Sequence, residues 1–290
     1  MREFQHVVTT SDGVQLSVRE YLPDATPFER TLLFIHGACE HGGRYSDFAK
    51  AATVAGWRVL IPDLRGHGRS TGVKVYVRQF GEYLSDLELI CRHFSFETSR
   101  TAIVGHSLGG LITARWLQVY PGQVSAACLL SPYLGLKIHV DRLTWIAGQI
   151  LLWTWPWFRF KSRVRSADLS QDQEYLQERR KDELISRFVT AGWFFAVQHA
   201  LGQVHEAAPQ VTLPLLVLQG DQDHVTDPQA TQAWFARISS SDRTLELLAG
   251  GLHELLQGKN CQPVFQRILE WLTAHCGTNS QLEAAKEPKL

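Results

Sequence analysis

A serine held between glycines is the residue in this chain best placed to do chemistry. Gly105-His106-Ser107-Leu108-Gly109 fits the pattern Gly-x-Ser-x-Gly. It follows a run of strand formers, Thr101–Val104, and precedes a run with helical spacing, Leu111–Tyr120. A serine on so sharp a strand-to-helix turn is lifted above the sheet, and the helix N-terminus behind it favours developing negative charge. A hydroxyl is a weak nucleophile alone, so a base is needed. Of the twelve histidines, His253 stands in Ala249-Gly250-Gly251-Leu252-His253-Glu254, after the strand-like Thr244–Leu248 and before the helical Gln262–Ala274. A loop at that end of a parallel sheet can face Ser107, and a histidine last in chain order suits the series serine, acid, histidine. The acid must lie between them. Gln219-Gly220-Asp221-Gln222-Asp223-His224-Val225 follows the apolar Leu215–Leu218 and offers Asp221 and Asp223; Asp227, just before Pro228, reads better as a helix cap. The chemistry would be attack of the serine oxygen on a carbonyl carbon, with the acid fixing the imidazole tautomer.

Such an attack leaves an oxyanion that needs hydrogen-bond donors. One is the backbone N–H of Leu108, the residue after the nucleophile. The second comes from the loop after strand Thr31–Ile35, His36-Gly37-Ala38-Cys39-Glu40-His41-Gly42, where the N–H of Ala38 is the candidate. Losing one such donor costs on the order of 100- to 1000-fold in rate. Glu40 and His41 read as braces for this loop. The polar Asp63-Leu64-Arg65-Gly66-His67-Gly68-Arg69-Ser70 reads as a structural turn after the buried strand Trp57–Ile61, tied by an internal carboxylate–guanidinium pair.

The elements that must carry these residues alternate between strand and helix, which predicts an α/β fold with a mostly parallel sheet and helices on both faces. Phe4–Thr10 and Val14–Tyr21 form a hairpin around Ser11-Asp12-Gly13, and Arg44–Ala55 is helical up to Gly56. Val77–Phe96 places Phe80, Tyr83, Leu84, Leu87, Ile90, Cys91 and Phe94 on one helical face, and Val124–Leu130 is a strand. After Pro132 the alternation stops for about 80 residues without a clear strand, which is far longer than an ordinary connection. The expected organisation is a core of residues 1–132 and 211–276, a cap inserted at 133–210, and a flexible polar tail at 277–290.

The composition restricts the function. With 29 basic and 29 acidic residues among 290, the chain has no formal net charge, so it lacks the basic field of a nucleic-acid binder and any polybasic lipid anchor. The five cysteines fall in no Cys-x-x-Cys or Cys/His spacing, so reduced thiols and no metal or other cofactor are expected. The opening MREFQHVVTTSDGVQL has no apolar signal core, and a cytoplasmic protein is expected. No feature specifies an oligomeric state.

Several motifs occur in one order: His36-Gly37-Ala38-Cys39-Glu40-His41 with Arg44-Tyr45, the Asp63–Ser70 segment, Gly105-His106-Ser107-Leu108-Gly109-Gly110, Gly220-Asp221-Gln222-Asp223, and His253-Glu254. In this the chain resembles the monoacylglycerol lipase and lysophospholipase branch of the α/β-hydrolases, over roughly residues 10–275. The resemblance implies the α/β-hydrolase fold with a helical cap before the acid-bearing strand. It also implies a triad of Ser107, Asp223 and His253, with the Ala38 and Leu108 amides as the oxyanion hole. The choice of Asp223 over Asp221 comes from this resemblance, which puts the acid three residues after the glycine. Position 39 is cysteine where glycine is common in the branch. The implied activity is a serine esterase acting on lipid esters, foremost monoacylglycerols, through an acyl-enzyme. A lysophospholipase and a short-chain carboxylesterase are alternatives; an acyltransferase and a non-catalytic ligand-binding relative are more remote ones.

The insertion adds a substrate clue. Leu143–Phe160 reads LTWIAGQILLWTWPWFRF and holds four of the nine tryptophans, and Gly192-Trp193-Phe194-Phe195 forms a second aromatic cluster. The first run is too short and too broken by Gly148, Gln149 and Pro156 to cross a bilayer. Its aromatics either pack the cap onto the core or line an acyl channel and give peripheral contact with a lipid surface, where tryptophan is favoured. Trp145, Leu152, Trp153, Trp193 and Phe194 are the candidate substrate contacts, and Arg159, Lys161, Arg163 and Arg165 follow at headgroup level or as a solvated face.

Overall fold

The chain begins with an antiparallel hairpin, β1 (Arg2–Thr9) and β2 (Gln15–Leu22), and continues through β3 (Arg30–Ile35), α1 (Ser46–Val54), β4 (Trp57–Pro62), α2 (Gly81–His93), β5 (Thr101–His106), α3 (Leu108–Val119) and β6 (Ala126–Leu130). It then runs through α4 (Arg142–Thr154), β7 (Arg159–Lys161), α5 (Gln173–Lys181), β8 (Phe188–Thr190) and α6 (Ala191–Glu206) before β9 (Leu215–Gly220), α7 (Pro228–Phe235), β10 (Arg243–Leu248) and α8 (Gln262–His275). The structure, a computed structural model, describes residues 1–24, 28–137 and 140–277. The expected tail, Gly277 apart, lies outside the described residues.

Eight strands form one sheet in the order β1-β2-β4-β3-β5-β6-β9-β10, parallel from β4 onward and antiparallel at the β1–β2 edge. The central strands are continuous apolar runs because helices cover both their faces. Alternate side chains divide between two layers. Leu33, Ile35, Ile103, Leu129 and Val217 join the core that includes residues of α2, α3 and α6. Leu32, Phe34, Val104, Leu130 and Leu218 join the core that includes residues of α1 and α8. All five cysteines are buried and free of disulfides.

Three details differ from the sequence reading. Helix α2 begins at Gly81, not Val77, because Val77 and Phe80 reach the core from the turn before it; apolar spacing reports burial, not backbone. The segment between β6 and β9 contains a two-stranded antiparallel sheet, with Phe160 opposite Val189. Its strands have three residues each, too few to show a period. The Asp63–Ser70 turn is not closed by an internal ion pair. The Asp63 carboxylate is occupied by the N–H groups of Gly42 (2.7 Å) and Arg69 (2.8 Å). Arg65 instead reaches α2, where its planar fork donates twice to Asp86 (2.7 and 2.6 Å), and it also pairs with Asp12 and Glu82. The turn therefore fastens the loop after β3 to the sheet edge and to α2. Among the described residues no helix is long and apolar enough to cross a membrane.

Candidate active site

Ser107 sits at the junction of β5 and α3 with φ 53° and ψ −116°. A non-glycine residue adopts this conformation only when its surroundings over-determine it. Here they do. The Ser107 N–H donates to Leu130 O (2.9 Å), and its carbonyl accepts from Leu111 N (3.2 Å) and Tyr133 N (3.0 Å). The turn also needs its two glycines. A β-carbon on Gly105 would lie 2.4 Å from the Gly109 carbonyl oxygen, and one on Gly109 would lie 2.1 Å from the Ile35 carbonyl oxygen. These are backbone atoms of α3 and β3 and cannot swing away. Gly109→Ala should therefore cost roughly 2–4 kcal/mol, read as a lower urea midpoint with an unchanged slope; a midpoint within error of the wild type would show that the β3–α3 packing is looser than described.

His253, in the loop after β10, accepts the Ser107 hydroxyl at Nε2 (3.0 Å) and donates from Nδ1 to Asp223 Oδ2 (2.8 Å). All three residues are buried. Of the acids after β9, Asp223 is the one that meets His253. Asp221 accepts from Gly250 N (2.8 Å) and so pins the histidine loop, and Asp227 caps α7 through Gln229 N (3.0 Å). Asp223 is held from every side. Oδ1 accepts from Val225 N (2.7 Å) and Thr226 N (3.0 Å), and Oδ2 accepts from Thr226 Oγ1 (2.7 Å) and Gln219 Nε2 (3.0 Å) as well as the histidine. Burial alone would push this carboxyl up, but His253 and the donors of Thr226 and Val225 outweigh it and bring it down to about 2. Gln219 and Thr226 are absent from the sequence-based site. The one signal for Gln219 was a polar residue closing the otherwise apolar strand LLVLQG.

Ala38 and Leu108 flank the same space. Leu108 is the first residue of α3, and among the described residues neither its N–H nor that of Ala38 has an acceptor in the protein. The Ala38 loop is braced from beneath. Glu40 accepts from Gly37 N (2.6 Å), Tyr45 OH (2.6 Å), His106 Nδ1 (3.3 Å) and Arg44. Burial opposes ionisation of Glu40, but Arg44 and His106 outweigh it and hold the carboxyl well below its usual range. Cys39 has φ 63°, which accounts for the glycine usual at this position in the branch the chain resembles. Its carbonyl accepts from Ser186 N (2.8 Å), and His41 Nε2 pairs with Asp182 (2.8 Å), so the α5–β8 connection is tied to the loop at two points.

Ser107, His253 and Ala38 open onto a cavity of about 880 Å³. Of the candidate substrate contacts, Trp145, Trp193 and Phe194 line it, with Trp145 edge-on to Phe194 (5.7 Å between centroids) and to Phe195 (5.0 Å). Two expected contacts do not. Trp153 is 86% exposed, and Leu152, two turns along α4 from Trp145, does not line the cavity. The reason is that α4 is apolar on both faces. Leu143, Ile146, Ile150 and Trp153 form an outer stripe, so residue type alone could not identify the inner side.

Residues 26–260 match the family described as Serine aminopeptidase, S33. The chain is 29% identical over 265 residues to an abhydrolase domain-containing protein of Dictyostelium discoideum, which covers 91% of this chain but only 28% of that one. It is 27% identical over 274 residues to Monoacylglycerol lipase of Mycolicibacterium smegmatis, covering 93% of this chain and 97% of that one. The solved monoacylglycerol lipase of Paleococcus ferrophilus superposes with a TM-score of 0.82 at 23% identity, covering 90% of this chain and 99% of that one.

Proposed function

The chain belongs to the Serine aminopeptidase, S33 family of α/β-hydrolases, and from that premise we propose that it is a serine hydrolase cleaving carboxylic esters of lipids, foremost monoacylglycerols. The observation that carries this reading is the relay of two contacts, Ser107 to His253 at 3.0 Å and His253 to Asp223 at 2.8 Å. With Nδ1–H committed to an ionised Asp223, the imidazole offers a bare Nε2 to the serine proton. As that proton moves to Nε2, Oγ bonds to the ester carbonyl carbon. The carbonyl oxygen takes the negative charge and is held by the Ala38 and Leu108 N–H groups. Collapse breaks the ester C–O bond, and the departing alcohol takes the proton from His253. A water then gives its proton to His253 and attacks the acyl-enzyme, releasing the fatty acid and restoring Ser107.

The family description raises peptides as a second substrate class. An aminopeptidase must hold a substrate ammonium, which calls for a free carboxylate at the site. The acids lining this cavity are already engaged: Glu40 with Arg44, Asp182 with His41, and Glu254 with Arg44 and Arg179. An apolar wall of Trp145 and Phe194 suits an acyl chain better. On this reading residues 133–210 form a cap. The outer stripe of α4, with Trp155 and Trp157 half exposed beside it, gives an otherwise cytoplasmic protein peripheral contact with a lipid surface.

The test is a panel of monoacylglycerols of graded length, short p-nitrophenyl esters and aminoacyl p-nitroanilides. Each buried CH₂ contributes about 0.8 kcal/mol, so kcat/KM should rise roughly tenfold per two carbons until the cavity is filled, and the anilides should not react. A preference for acetyl over long acyl esters would remove the lipid reading while leaving serine chemistry standing.

A further inference from the structure

We propose that the mouth of this cavity is an anion subsite, built from Lys161, Arg180 and Arg187, that receives a phosphate group carried on the glycerol of a monoacyl lipid. The proposal rests on the lipid-ester reading above and names the headgroup chemistry of that substrate. All three side chains line the cavity that Ser107 and His253 open onto, and all three are exposed residues, as a mouth requires. The backbone brings them together. The Arg187 guanidinium donates to the Arg180 carbonyl (3.2 Å), the Arg187 carbonyl accepts from Ser162 N (2.8 Å), and Lys161 pairs in register with Phe188. The loop that carries Arg187 rests on the oxyanion loop through the bond from Ser186 N to the Cys39 carbonyl. The three cations therefore share one cavity with Ala38 and Ser107.

The charge balance supports an anionic guest. Among the described residues, none of Lys161, Arg180 and Arg187 takes part in an ion pair, whereas the cavity's acids, Glu40, Asp182 and Glu254, are all paired with His41, Arg44 or Arg179. Glu183, in the same loop, lines a neighbouring groove that Arg180 and Arg187 also border, and not the cavity. The cavity is thus polar and cationic at the mouth and apolar at Trp145 and Phe194, the polarity order of an acyl chain with a charged head.

The experiment compares octanoylglycerol with octanoylglycerol phosphate, first as monomers and then with anionic vesicles, on the wild type and on the triple variant Lys161→Gln, Arg180→Gln, Arg187→Gln. Charge-assisted hydrogen bonds of this kind correspond to about ten- to a hundredfold in affinity. The wild type should hydrolyse the neutral ester and also the phosphate ester. The variant should lose about that factor on it through KM, and its turnover of the neutral ester, which reports folding, should stay within about twofold. Added salt should raise the wild-type KM for the phosphate ester alone. An unchanged ratio between the two esters in the variant overturns the subsite. A charge effect seen only on anionic vesicles also overturns it, and assigns the cations to a membrane surface. Failure of the wild type on both esters removes the lipid-ester reading itself, whereas turnover of the neutral ester without a charge effect removes the subsite alone.

Discussion

Replacing Ser107 by alanine should lower kcat by about 10⁴- to 10⁶-fold while the protein remains folded. The size of the effect follows from what the oxygen does. Among the described residues Ser107 Oγ has one protein partner, Nε2 of His253 at 3.0 Å, so its removal deletes the proposed nucleophile and strands no other of their buried polar groups. The proposed oxyanion donors are main-chain groups and survive, which is why a residue of catalysis over water, about 10³-fold, should persist. Stability should change little. Alanine is as strained as serine at φ 53°, and the N–H and carbonyl that over-determine this conformation still bond Leu130, Leu111 and Tyr133. A shift within about 1 kcal/mol is expected. Steady-state hydrolysis, covalent labelling by a fluorophosphonate and a urea melt check the three parts separately. Labelling retained by Ser107→Ala would place the nucleophile elsewhere and end the proposed mechanism.

The parts of this site readable in the sequence are those where a local constraint forces a residue type. Gly105 and Gly109 must be glycine because carbonyl oxygens occupy the space of their β-carbons, and this marks the turn that holds Ser107. The apolar runs at β3, β5, β6 and β9 must be continuous because both faces are covered. Information carried by pairs distant in the chain was not readable. Spacing left Asp221 and Asp223 equivalent after β9; what separates them is the Gly250 N–H on one and His253 on the other. Gln219 and Thr226 act through a carboxylate reached only after the loop closes. Arg65 finds its carboxylate on a helix 21 residues away rather than within its own turn. In α4 the obstacle was different. A helix apolar on both faces gives no period from which to tell Trp145, facing the cavity, from Trp153, facing solvent.

Asp223→Asn should lower kcat by about 10⁴-fold with little change in KM, and unlike the change at Ser107 it should also destabilise the fold. The carboxylate accepts five hydrogen bonds: two from backbone N–H groups at Oδ1, and three at Oδ2 from Thr226 Oγ1, Gln219 Nε2 and His253 Nδ1. An amide has a single oxygen. If its NH₂ takes the Oδ2 side, it faces Gln219 and can be accepted by His253 only in the tautomer that carries the proton on Nε2, which cannot take the proton of Ser107. If the NH₂ takes the other side, it faces the N–H groups of Val225 and Thr226, and at least one buried donor is left without an acceptor, at a cost of about 1–3 kcal/mol. The pH dependence of stability separates charge from shape. Because the folded pKa of Asp223 is depressed to about 2, its ionised form contributes stability that is complete above the unfolded value of about 4 and is lost as pH falls toward 2. The wild type should therefore lose stability across that window more steeply than the asparagine variant, whose position 223 does not titrate. A kcat reduced by less than about tenfold, with parallel stability profiles, would mean that the tautomer of His253 is not set by this acid, and the relay from Ser107 would have to end at the imidazole.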